Sequence, residues 1–308
     1  MDLPKAKVVI IVMLIAFNAF LLFNNWTSYK GQGIQEETIK NTIAILAGRG
    51  VTLECGIPRT SKAVYRLEFG SGRLDRQEIA GKLFGQELLS SELSGEPQIA
   101  AVLADSDGAA SEEERLDDTH TEDSRAAGFE YDGKKLEFLS GTRFVFTDDE
   151  PDYAVNTGDD DEVIMIAMKY LREKKLLNGK YVFDELKREP EGKVMVTFIQ
   201  EYEGLPVYDN YCTVTATGKG ITGLEYGKLQ IKGFAPGRVQ DMASAYQVLL
   251  ANYTEGNGEV ITDIDIGYKY SEEEFTQDMQ SLELLPVWRV RIKDAPEPDY
   301  LSTIESEQ

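Results

Sequence analysis

The chain has 308 residues, 42% of them hydrophobic, with a formal net charge of -22 and a pI near 4.5. Such a charge excludes an electrostatic grip on nucleic acid or on anionic lipid, since both carry the same sign, and it keeps a folded body soluble. The apolar content is that of a globular protein, and the length suffices for two domains of ordinary size.

The first element is an apolar run, Val8 to Phe23, preceded by Lys5 and Lys7 and matched by nothing later in the chain. Its sixteen residues would rise only about 24 Å as a helix, against a hydrocarbon core of roughly 30 Å. Counted from Leu3 to Trp26 it is long enough, because lysine stems snorkel at one end and Trp26 and Tyr29 suit the opposite interface. A cleaved secretory signal is the rival reading, but Phe23-Asn24-Asn25-Trp26 offers no small-x-small cleavage site and no lipid-anchor cysteine is near. The expectation is therefore a cytoplasmic tail over 1–7, a single transmembrane helix over 8–26 in the plasma membrane, and everything from about residue 27 outside. Asn18 lies inside the run, where an unpaired amide is unfavourable. Either it bonds a partner helix brought close by the small residues Ala16 and Ala19, or it turns to its own backbone or snorkels outward.

Beyond the anchor, Ile39, Ile43 and Leu46 give helical spacing over 34–46, stopped by Gly48 and Gly50. Strands are predicted over 51–55 and 63–69, and a second helix over 76–89 with Ile79, Leu83, Leu88 and Leu89 on its covered stripe. The stretch 104–128 is dense in Asp and Glu and poor in apolar residues, the composition of a solvated, disordered excursion. A hairpin set follows at 129–131, 135–139 and 143–146, its first turn at Asp132-Gly133. Residues 34–147 are thus expected to form a first α+β domain. A second acidic segment, 148–162, reads as the boundary. Residues 163–293 then read as a second α+β domain with a helix over 163–177, strands over 193–201, 205–216 and 221–231, a helix over 239–253, and strands over 260–270 and 285–292. A tail, 294–308, closes the chain. Tight glycine-containing turns favour antiparallel sheets with helices on one face in both domains.

Chemistry-bearing motifs are scarce. The one histidine, His120, sits in the acidic stretch, so neither a histidine triad nor a zinc helix can be built on an ordered scaffold. Gly218, Gly220 and Gly223 spell a dinucleotide fingerprint, but a strand rather than a helix follows, which makes it a hairpin turn. Asp105-Ser106-Asp107-Gly108 and Asp159-Asp160-Asp161 hint at calcium loops without the full spacing. Cys55 and Cys212 would both be exported, so a disulfide between them is allowed; the alternative is two separate buried thiols, since both sit in apolar strand contexts where cysteine behaves as a small hydrophobe. No catalytic residue, cofactor or metal ligand is assigned.

Two groups of residues resemble a known family. Asp2-Leu3-Pro4-Lys5-Ala6-Lys7, running into Phe17-Asn18-Ala19-Phe20-Leu21-Leu22, is similar to the start of the YycI proteins, although Trp often stands there in place of Leu3. Gly204-Leu205-Pro206-Val207-Tyr208-Asp209-Asn210 looks like the strand pair of YycH/YycI and PepSY-like domains, and Leu285-Pro286-Val287-Trp288-Arg289-Val290 looks like its closing strand. Gly204, Pro206, Val207, Asn210, Pro286 and Trp288 are its structural positions here. The resemblance implies a membrane-anchored accessory protein without catalysis, paired with a YycH-type sister and regulating a WalK-type sensor histidine kinase of a two-component system. A PepSY-like inhibitor or chaperone of an exported peptidase is the alternative, and an exported hydrolase comes third.

Overall fold

The computed structural model describes residues 13–14, 17–18, 20, 36–59, 65–70, 72–85, 128–151, 154–238, 242–270 and 281–303. In chain order the elements are α1 (Glu36–Gly48), β1 (Thr52–Leu53), β2 (Tyr65–Gly70), α2 (Arg76–Phe84), β3 (Gly128–Tyr131), β4 (Lys134–Phe138) and β5 (Arg143–Asp148). Then come α3 (Asp160–Glu173), β6 (Lys180–Arg188), β7 (Val194–Tyr202), β8 (Leu205–Thr217), β9 (Gly220–Gly227) and β10 (Gln230–Arg238). The last are α4 (Ala245–Asn252), β11 (Val260–Tyr268), β12 (Ser281–Leu284), β13 (Pro286–Ile292) and β14 (Asp299–Ser302). The class is α+β with mostly antiparallel pairing, as expected. His120 and the acidic stretch up to 127 lie outside the described residues.

These elements form two compact units, and neither is continuous in sequence. The first takes the chain up to Tyr65, Gly237–Ile266 and the part from Pro286; the second takes Arg66–Pro236 and Gly267–Leu285. The boundary expected at 148–162 therefore falls inside the second unit. Its physical reason is pairing: β5, before that segment, is laddered antiparallel to β9, after it, from Arg143↔Gly227 to Thr147↔Gly223.

In the first unit the strands run β14, β13, β11, β1. Helix α1 buries Ile39, Thr42 and Leu46, three and four residues apart, into a core shared with Val248 and Leu249 of α4, Ile261 and Ile264 of β11, and Trp288 and Val290 of β13. Just past α1, Arg49 donates Nη1 to Leu250 O (2.7 Å) and Tyr253 O (3.0 Å), placing a cation on the terminal carbonyls of α4. The start of α4 is set by Gln247, whose Oε1 accepts from the Ser244 N–H at 2.9 Å, the reach-back half of a capping box. Strand β1 pairs parallel with β11, Thr52↔Val260. That departs from the antiparallel expectation because some two hundred residues, not a turn, connect the two strands, and a long connection leaves direction free.

The second unit holds an antiparallel sheet in the order β6, β7, β8, β9, β5, β4, β3, and a smaller one in the order β10, β2, β12. Its core takes Ile79, Ala80 and Leu83 from α2 and Val163, Ala167 and Leu171 from α3 against Phe144, Phe146, Phe198, Val214, Leu224 and Tyr226. Asp75 caps α2, accepting from the Gln77 and Glu78 N–H groups at 3.0 Å each. The acidic run that hinted at calcium has a different use: Asp159 caps α3 by accepting from Glu162 N at 3.2 Å, and Asp160, Asp161 and Glu162 form its first turn. Carboxylates there meet the positive end of the helix dipole. Asp132 (φ 49°) and Gly133 (φ 71°) make the left-handed turn that joins β3 to β4. Gly218 and Gly220 lie at the β8–β9 turn and Gly223 inside β9, so the glycine run opens no helix.

Candidate functional site

The motif residues of the second unit converge on one irregularity of the sheet. Leaving the turn at Glu203 (φ 48°) and Gly204 (φ 85°), β8 pairs regularly, Tyr202↔Leu205, Glu201↔Pro206 and Gln200↔Val207. The next pair is Ile199↔Tyr211, so Tyr208, Asp209 and Asn210 have no counterpart on β7 and bulge out of register. Two polar side chains fill the bulge. Asn210, fully buried, donates Nδ2 to Gln200 Oε1 (2.7 Å) and Leu229 O (3.0 Å) and accepts from Leu229 N (2.6 Å). Gln200 in turn donates to Asn178 O at 3.1 Å, tying in the loop after α3. Asp209 accepts from Lys269 Nζ (2.6 Å) and Tyr270 N (2.5 Å), which fastens the end of β11 beside β8, where Tyr268 pairs parallel with Val207. A Cβ at Gly267 would stand 2.4 Å from Pro206 O, so this approach requires glycine.

Pro286 and Trp288 belong to the first unit, the bulge motif to the second. Trp288 is buried and donates Nε1 to Ala243 O at 3.0 Å, while Pro286 O accepts from the Thr303 hydroxyl at 2.6 Å. Beside Trp288, the buried Arg289 clamps Asp265 of β11 bidentately, Nε to Oδ1 at 2.9 Å and Nη2 to Oδ2 at 2.6 Å. Sequence reasoning missed Gln200 and Asp265, and it gave Asp209 and Arg289 no role although both stand inside the quoted motifs. The signal for Arg289 was a charge between Trp288 and Val290 in an apolar strand; Gln200 gave none.

Of the residues singled out in the apolar run, Asn18 is helical and donates Nδ2 to Leu14 O at 2.9 Å, the bond to its own backbone. Ala16 and Ala19 lie outside the described residues. Among the described residues no helix is long and apolar enough to cross a membrane, and no group of three His, Cys, Asp or Glu side chains could hold a metal ion.

A family model described as YycI protein matches residues 30–301. The chain belongs to the YycI family. No curated protein was matched by the sequence. The match begins beyond the apolar run and takes in both units with their motif residues, so membership rests on the folded body of this YycI chain and not on its greasy start.

The cysteines of this YycI chain are both free thiols, Cys55 half-buried in the first unit and Cys212 buried in the second. Burial pushes both thiols up, with the Asp263 charge adding at Cys55 and Lys228 opposing at Cys212. Burial likewise raises the Tyr181 and Tyr226 phenols. Groups held protonated in this way are poor nucleophiles. The raised values also set a pH dependence. A proton held more tightly by the folded state stabilises fully below the unfolded value, and that contribution is lost progressively as pH rises from there through the folded value. Stability should therefore not respond to Cys212 below pH about 8 and should fall from about pH 9 upward, by about 1.4 kcal/mol per pH unit for this thiol. Urea unfolding at pH 7, 8, 9 and 10 checks this, and Cys212→Ala should flatten the step between pH 9 and 10; an unchanged step would remove Cys212 from the account.

Proposed function

We propose that the protein is a single-pass, membrane-anchored accessory of a two-component system, holding its folded body outside the cell and setting the activity of a WalK-type sensor histidine kinase by contact, together with a YycH-type sister. The observation that carries this reading is the family match over 30–301, which supports a role in the WalK/YycG regulatory system. The apolar run over 8–23 supports the anchor. The polar groups of both motif clusters are spent on internal bonds that shape the two units, which fits a binding body better than a catalyst. Regulation by contact requires that the protein bind one kinase state better than the other, since equal affinity shifts nothing.

The test replaces residues 8–23 by a generic apolar helix of the same length in cells carrying the kinase. Kinase output should change by about fivefold or more, the lower range of ordinary allosteric coupling, and crosslinking between this protein and the kinase should weaken in parallel. Unaltered output with unaltered crosslinking would dismiss the membrane contact. Capture of an exported peptidase, with inhibition of it by the full chain, would favour the PepSY-like alternative instead.

A further inference from the structure

Two Asn-Gly pairs stand in the chain, Asn178-Gly179 in the loop between α3 and β6 and Asn257-Gly258 in the turn before β11. They are alike in local shape. All four residues are exposed and both glycines are left-handed, at φ 102° and 93°. In both pairs the Asn side-chain amide and the following Gly N–H have no hydrogen-bond partner among the described residues.

The pairs differ in charge and in what the backbone holds. Asn178 lies between Lys175 and Lys180; Lys180 pairs with Glu201, while Lys175 has no ion-pair partner among the described residues. Asn257 lies between Glu255 and Glu259, and the Glu259 carboxylate folds back to accept from Asn257 N at 2.6 Å. A nearby cation favours loss of a proton from a backbone N–H, and a nearby anion disfavours it. Gly179 is also required by packing, since a Cβ there would stand 2.6 Å from Gln200 Nε2, the group that donates to Asn178 O at 3.1 Å. The close approach that ties this loop to the bulge therefore puts after Asn178 the one residue whose backbone nitrogen no side chain shields.

We propose that Asn178 is a site of spontaneous deamidation, and that its isoaspartyl product unfastens the loop from the Gln200–Asn210 network. The Gly179 nitrogen attacks the Asn178 Cγ: the N–Cγ bond forms, the bond from Cγ to the amide nitrogen breaks, and ammonia leaves with the proton that Gly179 gave up. Water then opens the ring. Addition at Cγ gives aspartate. Addition at the main-chain carbonyl gives isoaspartate, in which the chain runs through Cβ and Cγ and the carbonyl held by Gln200 becomes a free carboxylate beside a lengthened backbone. The added atom falls just before the first pairs of the β6–β7 ladder, Lys180↔Glu201 and Tyr181↔Gln200. The site stands independently of the kinase-regulating reading, because its only co-reactant is water.

The experiment ages the full-length protein in nonionic detergent in warm, mildly alkaline buffer. Peptide mass spectrometry reads amide-to-acid conversion at each Asn-Gly pair, and an isoaspartyl-specific methyl-transfer assay reads the lengthened backbone. In the folded chain Asn178 should convert about fivefold or more faster than Asn257, a barrier difference of about 1 kcal/mol. The two rates should converge in concentrated urea, where the Glu259 contact is gone, and Glu259→Gln should speed Asn257 in the folded chain. Aged wild type should melt lower than fresh protein. Asn178→Gln, whose longer side chain closes the ring far more slowly, should keep its melting temperature on ageing, as should Asn178→Ser. Equal or faster conversion at Asn257 in the folded chain, or none at Asn178 over a period that converts both pairs in urea, would overturn the site. An aged wild type that melts with the aged Asn178→Gln variant would overturn the link to the bulge.

Discussion

Trp288→Ala is expected to destabilise the first unit by about 4 kcal/mol, the range for removing a large aromatic side chain from a packed core. Trp288 is 2% exposed and packs with Leu46, Val248, Ile261 and Val290, residues drawn from α1, α4, β11 and β13. Truncation would empty the place where these four elements meet. It would also strip the Ala243 carbonyl of its donor. Trp288→Phe separates the two effects, since it keeps most of the apolar contact and loses the bond, with an expected cost of about 1–2 kcal/mol. Hydrogen exchange should report the alanine variant as early loss of protection in α1, α4 and β13. A loss below about 1 kcal/mol would mean that Trp288 does not hold this core.

Asn210→Ala is expected to cost about 2 kcal/mol, because three part-buried groups lose their partner at once and each orphan carries a desolvation penalty of up to roughly 1 kcal/mol. The groups are the Leu229 N–H, the Leu229 carbonyl and Gln200 Oε1. Asn210→Asp should not rescue it. A carboxylate still accepts from Leu229 N, and Gln200 can turn its amide to donate, but the Leu229 carbonyl then faces an anion at about hydrogen-bond range. Urea unfolding of the full chain in detergent measures both variants. Near wild-type stability in either one would show that the bulge is held by its backbone alone.

The same residue explains why the predicted strand over 221–231 is two strands. Leu229 offers its N–H and its carbonyl to the Asn210 amide, so the ladder breaks between Gly227 and Gln230. An amide nineteen residues upstream is invisible to local pattern reading. A similar competition shortens the helix predicted over 239–253: Ala243 N donates to Thr303 O and the helix begins only after Ser244. Strand β6 was not predicted at all. Its sequence, KYVFDELKR, lacks clean alternation because it is an edge, paired to β7 alone, with a register shift between Phe183 and Glu185. Irregular, charged edges of this kind discourage pairing with other chains.

What local chemistry encodes, the chain announced by itself. The periodic faces of α1, α2 and α3 and the Asp132-Gly133 turn act over a few residues, so spacing suffices to find them, while the motifs at 204–210 and 285–290 come from resemblance to a family. The acidic start of α3 reads as a linker in the sequence alone, because a carboxylate-rich first turn and a solvated linker share one local composition. Only the tertiary structure decided how the units are assembled from separate stretches, where pairing turns parallel, and which polar residues are buried as clamps. Those outcomes depend on contacts between residues tens to hundreds of positions apart, whose free energy appears only once the intervening chain has folded.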